Sequence, residues 1–298
     1  MSDPLVLAVV VNWNGEEVLG PCLETLLAST YPNLRVLVVD NDSTDASVAL
    51  TKERFPSVRV VEMEKNEGYA SGVNAGLEAA REEGAEYALL LNNDIELDAG
   101  AVGAMVRAAS GRERVAFVGP LIYYHDRPDV VWSAGGAVSM WTGNIRHLGL
   151  RDRDKGQFTE VVSVDYVTGC AMLASMEAVE SVGVMDEGYY MYNEDTDWCV
   201  RAREAGYEVL FAPEARIWHK VSMSSGGGLT SYKIYNRLRS TGRFFSLHAR
   251  PYHWLGILPS TACRTLGFAA RELSKGNGAH VSAIVRGALD TLTGRKRN

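Results

Sequence analysis

The chain has 298 residues, of which 46% are hydrophobic and 22% are charged. This composition supplies enough apolar side chains for a sizeable core and excludes a mainly disordered protein. The formal net charge of −7 gives no reason to expect a nucleic-acid partner. The start of the chain lacks the basic and apolar pattern of a secretory signal, so we expect a cytoplasmic protein.

Positive charge is concentrated near the end of the chain. Residues 233–298 contain 12 Lys and Arg but only two acids, whereas residues 1–232 contain 18 Lys and Arg and 35 acids. A basic tail after an acidic body indicates either an anionic partner or docking of the tail on that body. Both interpretations stay open. The anionic partner would be the inner face of a membrane or a lipid-diphosphate acceptor.

The cysteines indicate a reduced protein. They stand far apart and form no C-x-x-C pair, which argues against a disulfide or zinc framework. We expect them in the core or in a pocket: Cys22, Cys170, Cys199 and Cys263.

Strands and helices alternate through roughly the first 120 residues, with short connections. Apolar runs predict buried strands at 5–11, 34–39, 58–63 and 87–91. Helices are expected near Pro21, from Ser43 towards residue 55, over 68–83, and after Asp98. This alternation predicts an α/β fold with a mostly parallel sheet covered by helices on both faces.

The pattern changes after residue 120. Residues 121–165 suit an irregular segment with a hairpin, and further elements are expected at 164–175, 196–205 and 208–212. The apolar run at 254–263 is too short to span a bilayer, which needs about 20 residues. Residues 281–292 have the spacing of a basic amphipathic helix. We predict a catalytic domain at 1–232, with a nucleotide-binding half at 1–120 and an acceptor half at 121–232, followed by a basic helical extension at 233–298.

Polar residues follow each of the first four predicted strands. They are Asn12 and Asn14, then Asp40 and Asp42, then the stretch from Asn66 to Asn74, and finally Asn93 and Asp94. In a parallel sheet, ligands bind beyond the carboxyl ends of the strands. We therefore expect these residues to share one binding site.

Each carboxylate or histidine of interest has a functional and a structural interpretation. Asp40 favours a ligand contact, whereas Asp42 favours stabilisation of the turn. Asp94, at the end of a buried strand, suits Mg²⁺ or Mn²⁺ bridged to phosphates. Asp195 is either a general base or the cap of the next helix. His219 is a structural residue unless a metal lies beside it.

These motifs together resemble glycosyltransferase family 2, and in particular its rhamnosyltransferase-like branch. The matching segments occur in the order of that family and are Val11–Gly15, Val39–Asp45, Asn66–Gly76, Leu91–Asp94, Met185–Glu187, Asn193–Arg201 and Trp218-His219. The resemblance implies a GT-A fold and an inverting, metal-dependent sugar transfer. One departure is Asn92, which stands where the family's metal motif begins with Asp.

The resemblance also implies residue roles. Asp40 would contact the nucleobase, Asp94 and His219 would bind the metal, and Asp195, paired with Glu194, would be the base. The predicted donor-binding residues are Asn12, Asn14, Asp40, Asp42, Asn66, Gly68, Tyr69, Asn74 and Asn93. Contacts with the acceptor or with phosphate are predicted for Gly169, Trp198, Lys233 and Arg237.

The expected partners are a UDP- or dTDP-sugar and a glycan or lipid-linked acceptor of the cell envelope. A peripheral membrane contact and an oligomer are both compatible with the sequence. Two other functions stay open. A nucleotidyltransferase is disfavoured because Glu16-Glu17 follows the first strand where a Gly-rich basic loop is expected. A non-catalytic sugar-nucleotide-binding protein is kept open by Asn92.

Overall fold

The structure is a computed structural model that describes residues 3–221 and 228–293. Its strands, within those residues, are β1 (Val6–Asn12), β2 (Leu34–Asp40), β3 (Arg59–Glu62), β4 (Tyr87–Asn92), β5 (Ile95–Leu97), β6 (Val115–Tyr124), β7 (Arg127–Ser133), β8 (Gly136–Ser139), β9 (Asn144–His147), β10 (Val162–Ser163), β11 (Ala171–Ser175) and β12 (Glu208–His219). Its helices are α1 (Leu19–Leu27), α2 (Ser47–Arg54), α3 (Tyr69–Glu82), α4 (Ala101–Ser110), α5 (Met176–Val182), α6 (Glu194–Glu204), α7 (Ser231–His248), α8 (Trp254–Ser274) and α9 (Gly278–Thr293).

One mixed sheet organises most of the fold. Its strand order is β10-β12-β6-β11-β4-β1-β2-β3, with β5 paired to β12 and β7 paired to β6. Strands β4, β1, β2 and β3 are parallel, as are β6 and β12. Strand β11 runs antiparallel between β4 and β6. The predicted α/β sheet is confirmed, and the antiparallel β11 is the main addition.

Strand β1 is buried on both faces, which explains its unbroken apolar sequence. Val6, Ala8 and Val10 belong to a core cluster with residues of α1 and α4. On the opposite face, Val9 and Val11 lie against the glycines of α3. The sheet is therefore covered by helices on both sides, as the alternating pattern predicts.

Strand β12 is longer than the predicted 208–212. Its pairing with β6 shifts register between Ala212 and Arg216 and then continues to His219. A polar stretch with Pro213 and Glu214 obscures this continuation in the sequence. The extension places His219 at the carboxyl end of a strand parallel to β1.

Two smaller expectations are corrected. Helix α2 begins at Ser47 rather than at Ser43, because Ser43 donates its hydroxyl to Asp40 at 2.6 Å within the preceding turn. Cys22, Cys170 and Cys199 are buried as expected, but Cys263 is exposed on α8.

The chain divides into two compact units. The first comprises Met1–Ala137, His147–Glu187 and Glu194–Gly227, and the second comprises Val138–Arg146, Gly188–Asn193 and Gly228–Asn298. In the second unit, Ile234 of α7 packs with Ala283 and Ile284 of α9. Among the residues described, we find no helix with the length and apolar character needed to cross a membrane.

Gly76 allows α3 to lie close to β1, and its replacement should be costly. A Cβ atom at Gly76 would lie 2.1 Å from Val9 Cγ1, so the helix or the strand would have to shift. We expect Gly76→Ala to lower the unfolding free energy by about 1–3 kcal/mol, measured by urea denaturation.

Gly103→Ala is the matched control, because Gly103 lies in α4 of the same unit. A Cβ there would meet the mobile end of Arg107 at 3.3 Å, and the better helix propensity of Ala is worth up to about 1 kcal/mol. Equal stability of Gly76→Ala and the wild type would contradict the close packing described for α3.

Candidate active site

The polar residues that follow β1, β2 and β4 form one buried hydrogen-bonded chain. Asn93 Nδ2 donates to Asn12 Oδ1 at 2.8 Å, and Asn12 Nδ2 donates to Asp40 Oδ1 at 2.8 Å. Asn12 also donates to Ser47 Oγ of α2 at 2.9 Å. The side chains of Asn12, Asp40 and Asn93 are almost wholly buried. The carboxyl ends of three parallel strands are thereby fixed together, which places the predicted residues at one rim of the sheet.

Asp40 is already engaged by its own turn. Its Oδ1 accepts from Asn12 and from Ser43 Oγ, and its Oδ2 accepts from Ser43 N at 2.9 Å. These bonds stabilise the turn after β2, which is the structural interpretation of Asp40 given above as the alternative to a ligand contact. A carboxylate offers about four acceptor positions. Contact with a nucleobase therefore stays a prediction that must use a remaining lone pair.

Asn14 and Asp42 shape the two loops beside this chain. Both are exposed and adopt left-handed backbone conformations, with φ of 48° and 62°. Asn14 N donates to Ser43 Oγ at 2.8 Å, and Asn14 Oδ1 accepts from Thr44 N at 2.8 Å. The loops after β1 and β2 are thus tied to each other.

Asn41 is a site residue that the sequence analysis missed. Its Nδ2 donates to Asn66 Oδ1 at 3.1 Å and to Gly68 O at 2.9 Å, which joins the β2 end to the start of α3. Its Oδ1 is buried and has no hydrogen-bond partner within the described residues. Gly68 adopts φ 101°, which favours glycine. The sequence feature that could have indicated Asn41 is its position directly after Asp40, at the end of β2.

Asp94 and His219 meet at the same rim. Asp94 Oδ1 lies 3.2 Å from His219 Nε2, without the alignment of a hydrogen bond, and both side chains are buried. Asp94 Oδ1 and His219 Nδ1 have no hydrogen-bond partner within the described residues. Burial by itself lowers the pKa of His219, but Cys170 and Asp94 raise that pKa to about 10.

These two residues fit a divalent cation only in part. Mg²⁺ and Mn²⁺ prefer oxygen ligands and commonly use one or two carboxylates plus substrate phosphates. Asp94 supplies such a carboxylate with an unsatisfied oxygen. No cluster of three or more His, Cys, Asp or Glu residues suited to a metal occurs in residues 3–221 and 228–293. A cation at Asp94 and His219 would therefore need further ligands from a bound phosphate.

A turn at Gly169 and Cys170 connects the Asp94 side of the rim to the carboxylates of α6. Cys170 O accepts from Asn92 N at 3.0 Å, and Gly169 N donates to Asp195 Oδ2 at 2.8 Å. Gly169 O accepts from the Tyr69 hydroxyl at 2.5 Å. A Cβ at Gly169 would lie 3.2 Å from Tyr69 Cε1. The turn therefore links the end of β4, two residues before Asp94, to Asp195 at the start of α6.

Glu194 and Asp195 form a close carboxylate pair at the start of α6. Burial raises the pKa of Asp195, while hydrogen bonds from Gly169 N and Thr196 N oppose that rise. Burial and the neighbouring Asp195 raise the pKa of Glu194 to about 8. Glu194 Oε2 is buried and has no hydrogen-bond partner within the described residues. The pair therefore holds a proton near neutral pH.

The sequence profile of the glycosyl transferase family 2 matches residues 7–183, which includes β1 to α5 and every strand-end segment except that of His219. The chain belongs to this family. Three residues of the rim lie outside the matched range: Glu194, Asp195 and His219. Asp195 contacts the matched region through its hydrogen bond from Gly169 N, and His219 contacts it through Asp94.

Relatives of this family 2 member include rhamnosyltransferases. The N-acetylglucosaminyl-diphospho-decaprenol L-rhamnosyltransferase of Mycobacterium tuberculosis H37Rv is 29% identical over 235 residues, covering 70% of this chain and 74% of the relative. The dTDP-rhamnosyl transferase RfbF of Shigella flexneri is 26% identical, covering 74% and 70%.

A solved structure shows the same fold. The mannosyltransferase PcManGT from Pyrobaculum calidifontis, in complex with GDP-Man and Mn²⁺, aligns with a TM-score of 0.62 at 16% identity. The alignment covers 99% of this chain and 89% of the other. Together with the central sheet, this likeness confirms the GT-A fold of the family 2 enzyme.

Two predicted ligand contacts are corrected. Asn74 on α3 donates to Met185 O at 3.0 Å and to Glu187 Oε1 at 2.8 Å, and its Oδ1 accepts from Met185 N at 3.1 Å. The Asn74 amide is therefore hydrogen-bonded to the 185–187 segment and is not available to bind a sugar nucleotide. Trp198 is fully buried, packs on Phe117 and donates to Gly183 O at 2.7 Å. It is a core residue and cannot contact an acceptor.

The predicted contacts of Lys233 and Arg237 are not tested by the structure. Both residues lie on α7 in the second unit. Lys233 is buried and its Nζ donates to Gly228 O at 3.0 Å, whereas Arg237 is exposed. Burial lowers the pKa of Lys233. Acceptor or phosphate contact stays a prediction for both.

The raised pKa of Glu194 predicts a pH-dependent stability. The folded chain holds the Glu194 proton up to about pH 8, whereas an unfolded glutamate releases it near pH ~4.3. Stability from the protonated carboxyl is full below the lower value and is lost as pH rises through the higher one. Glu194→Gln should therefore become more stable relative to the wild type between pH 5 and pH 9, measured by urea unfolding.

Glu53→Gln is the control for this series, because Glu53 is an exposed glutamate on α2 of the same unit. Its unfolding free energy should follow the wild type at every pH. A constant difference between Glu194→Gln and the wild type across the range would show that Glu194 does not carry the proton.

Proposed function

We propose that this chain is an inverting, metal-dependent glycosyltransferase. It would move a sugar from a UDP- or dTDP-sugar, with rhamnose the leading candidate, to a hydroxyl of a glycan or lipid-linked acceptor. The observation that supports the proposal is the Gly169–Cys170 turn, which is hydrogen-bonded both to Asn92, two residues before Asp94, and to Asp195. Asp94 is suited to the diphosphate and Asp195 to the acceptor hydroxyl, so the proposal requires both side chains to line one cleft.

The choice of sugar and acceptor rests on the relatives. The mycobacterial relative is named as a rhamnosyltransferase acting on a diphospho-decaprenol substrate, and RfbF is named as a dTDP-rhamnosyl transferase. From this likeness we infer a role in cell-surface polysaccharide synthesis. We propose that residues 1–232 carry catalysis and that the protein is cytoplasmic, either free or peripheral on the inner face of the cell membrane.

Donor binding would use the buried chain at the strand ends. The hydrogen bond between Asn93 and Asn12 fixes the strand ends relative to each other. We propose Asp40 and Asn41 as the residues that contact the nucleobase. The unsatisfied Asn41 Oδ1 is an acceptor that a base N–H can satisfy. Backbone groups near Gly68, at the start of α3, suit a phosphate.

Asp94 and His219 would hold Mg²⁺ or Mn²⁺ together with the donor diphosphate. When bound, the cation neutralises negative charge that develops on the leaving nucleoside diphosphate. The Mn²⁺ in the mannosyltransferase structure supports this assignment. Asp94 Oδ1 supports it independently, because this buried oxygen lies 3.2 Å from His219 Nε2 but accepts no hydrogen bond within the described residues.

Asp195 would act as the general base. The acceptor oxygen forms its bond to the anomeric carbon while the bond to the leaving diphosphate breaks on the opposite face, and Asp195 takes the acceptor proton. A carboxylate with a raised pKa accepts a proton more readily at neutral pH. Gly169 N and Thr196 N fix its orientation. A proton on Glu194 limits the pair to one negative charge.

Removing the base should reduce turnover without removing the donor site. We expect Asp195→Asn to lower the transfer rate at least ~10²-fold, because general-base catalysis typically contributes that much. Donor affinity, measured by calorimetry, should stay within a few-fold of the wild type. The matched control is Asp3→Asn. Asp3 is an exposed aspartate that precedes the amino-terminal end of β1, whereas the candidate site lies at the carboxyl ends of the strands. Near-normal turnover of Asp195→Asn would remove Asp195 from this role.

A donor screen with and without chelation tests the overall function. Sugar nucleotides are incubated with Mn²⁺ or Mg²⁺, and hydrolysis or transfer is followed by release of the nucleoside diphosphate. We expect EDTA to abolish the activity and added Mn²⁺ to restore it. Full activity in EDTA would show that the metal assignment is wrong.

The same screen separates the two alternative functions. Pyrophosphate release would identify a nucleotidyltransferase, and donor binding with neither transfer nor hydrolysis would identify a non-catalytic binding protein.

A further inference from the structure

Helix α8 of the second unit has one face that is anchored to the protein. Ile257 is buried, and the guanidinium of Arg264 donates to Thr142 O at 2.9 Å and to Gly143 O at 2.8 Å. Glu272, two turns further along this face, is also buried. These contacts fix the rotation of the helix, so the residues on its opposite face are directed away from the second unit.

The opposite face of α8 is apolar along its whole length. At about 100° per residue, a sector of about 180° contains only apolar side chains and glycine between Leu255 and Leu273. We call this surface the α8 strip, and its exposed members are Leu255, Leu258, Pro259, Ala262, Cys263, Leu266, Gly267, Ala270 and Leu273.

The leucines of the α8 strip are unusually accessible for apolar side chains. Leu255 is 81% exposed, Leu266 is 70% exposed and Leu273 is 66% exposed. The helix has 21 residues, which corresponds to about 30 Å. Single exposed leucines are common, but a continuous apolar stripe of this length indicates a surface that is covered by a partner.

The charge of the second unit indicates the kind of partner. This unit contains 13 Lys and Arg and two acids, Glu272 and Asp290. Three of the basic residues, Arg295, Lys296 and Arg297, lie outside the described residues. A strongly positive unit that carries an exposed apolar helix is suited to an anionic lipid surface.

Both acids of the second unit are occupied internally. Glu272 bonds to His280 at 2.7 Å and to Lys275 at 3.1 Å, and these contacts, His280 first, lower its pKa to about 2. Asp290 accepts from the Tyr235 hydroxyl at 2.7 Å. Neither carboxylate opposes the exposed Arg271, which lies on α8 beside the strip.

We propose that the α8 strip docks on an anionic phospholipid bilayer, with the helix lying in the interface parallel to the membrane. An amphipathic helix of 20–30 residues with basic flanks takes this position, whereas spanning needs about 20 mostly apolar residues. The rival occupant is a second copy of the chain. Two copies would bring two positive units together, so charge favours the lipid. This inference concerns the second unit alone and does not depend on the transferase activity.

The test is flotation of the full-length protein with vesicles of phosphatidylcholine, with or without phosphatidylglycerol. We expect binding to the anionic vesicles that weakens at high salt. A Leu258→Gln/Leu266→Gln double variant should bind at least ~10-fold more weakly, because two apolar side chains that would be buried in the bilayer interface become polar. The matched control is Leu27→Gln/Leu150→Gln, whose leucines are 44% and 43% exposed in the first unit; it should bind like the wild type.

Circular dichroism and the thermal midpoint check that the variants fold, and light scattering gives the oligomeric state. Equal flotation of the strip variant and the wild type would overturn the proposal. Equal binding to vesicles without phosphatidylglycerol would overturn the requirement for anionic lipid. A wild-type dimer that becomes a monomer in the strip variant, with no vesicle binding by either, would assign the strip to a second copy of the chain.

Discussion

The buried amide of Asn12 is the interaction on which the rest of the site depends. A buried primary amide must satisfy two donors and an acceptor, or the fold loses about 1–3 kcal/mol for each group left without a partner. Asn12 meets this requirement with Asn93, Asp40 and Ser47, which belong to three different segments. Satisfying one side chain therefore sets the positions of the β2 and β4 ends relative to β1. Asp94 follows Asn93 directly, so its location is fixed by the same bonds.

The regular half of the fold follows closely from local sequence. Strand β1 is apolar at every position but its last because it is buried on both faces, and Asn12 at its end begins a buried hydrogen-bonded chain in place of apolar packing. The full length of β12 was not foreseen, because its continuation depends on a register shift against β6. The antiparallel β11 was equally hidden. Pairing partners are set by tertiary structure, and a short apolar run does not record its direction.

The site shows the same division. Residue type and position at strand ends were enough to bring Asn12, Asp40, Asn93 and Asp94 to one rim. They were not enough for Asn74 and Trp198, which have polar atoms that bond to the backbone of the 183–185 region. The sequence does not distinguish a polar side chain that is hydrogen-bonded to a distant loop from one that binds a ligand. Asn41 was missed for the converse reason, since its unsatisfied oxygen is visible only once its neighbours are placed.

The missing side chain of Gly169 has a consequence for replacements at this turn. Its peptide group bonds Asp195 through the nitrogen and Tyr69 through the oxygen, and the space above its α-carbon is taken by the tyrosine ring. A side chain there would have to displace the tyrosine ring by a few tenths of an ångström, which would disturb the hydrogen bond from the Tyr69 hydroxyl to Gly169 O. A replacement at residue 169 would therefore alter the surroundings of Tyr69 and Asp195 together.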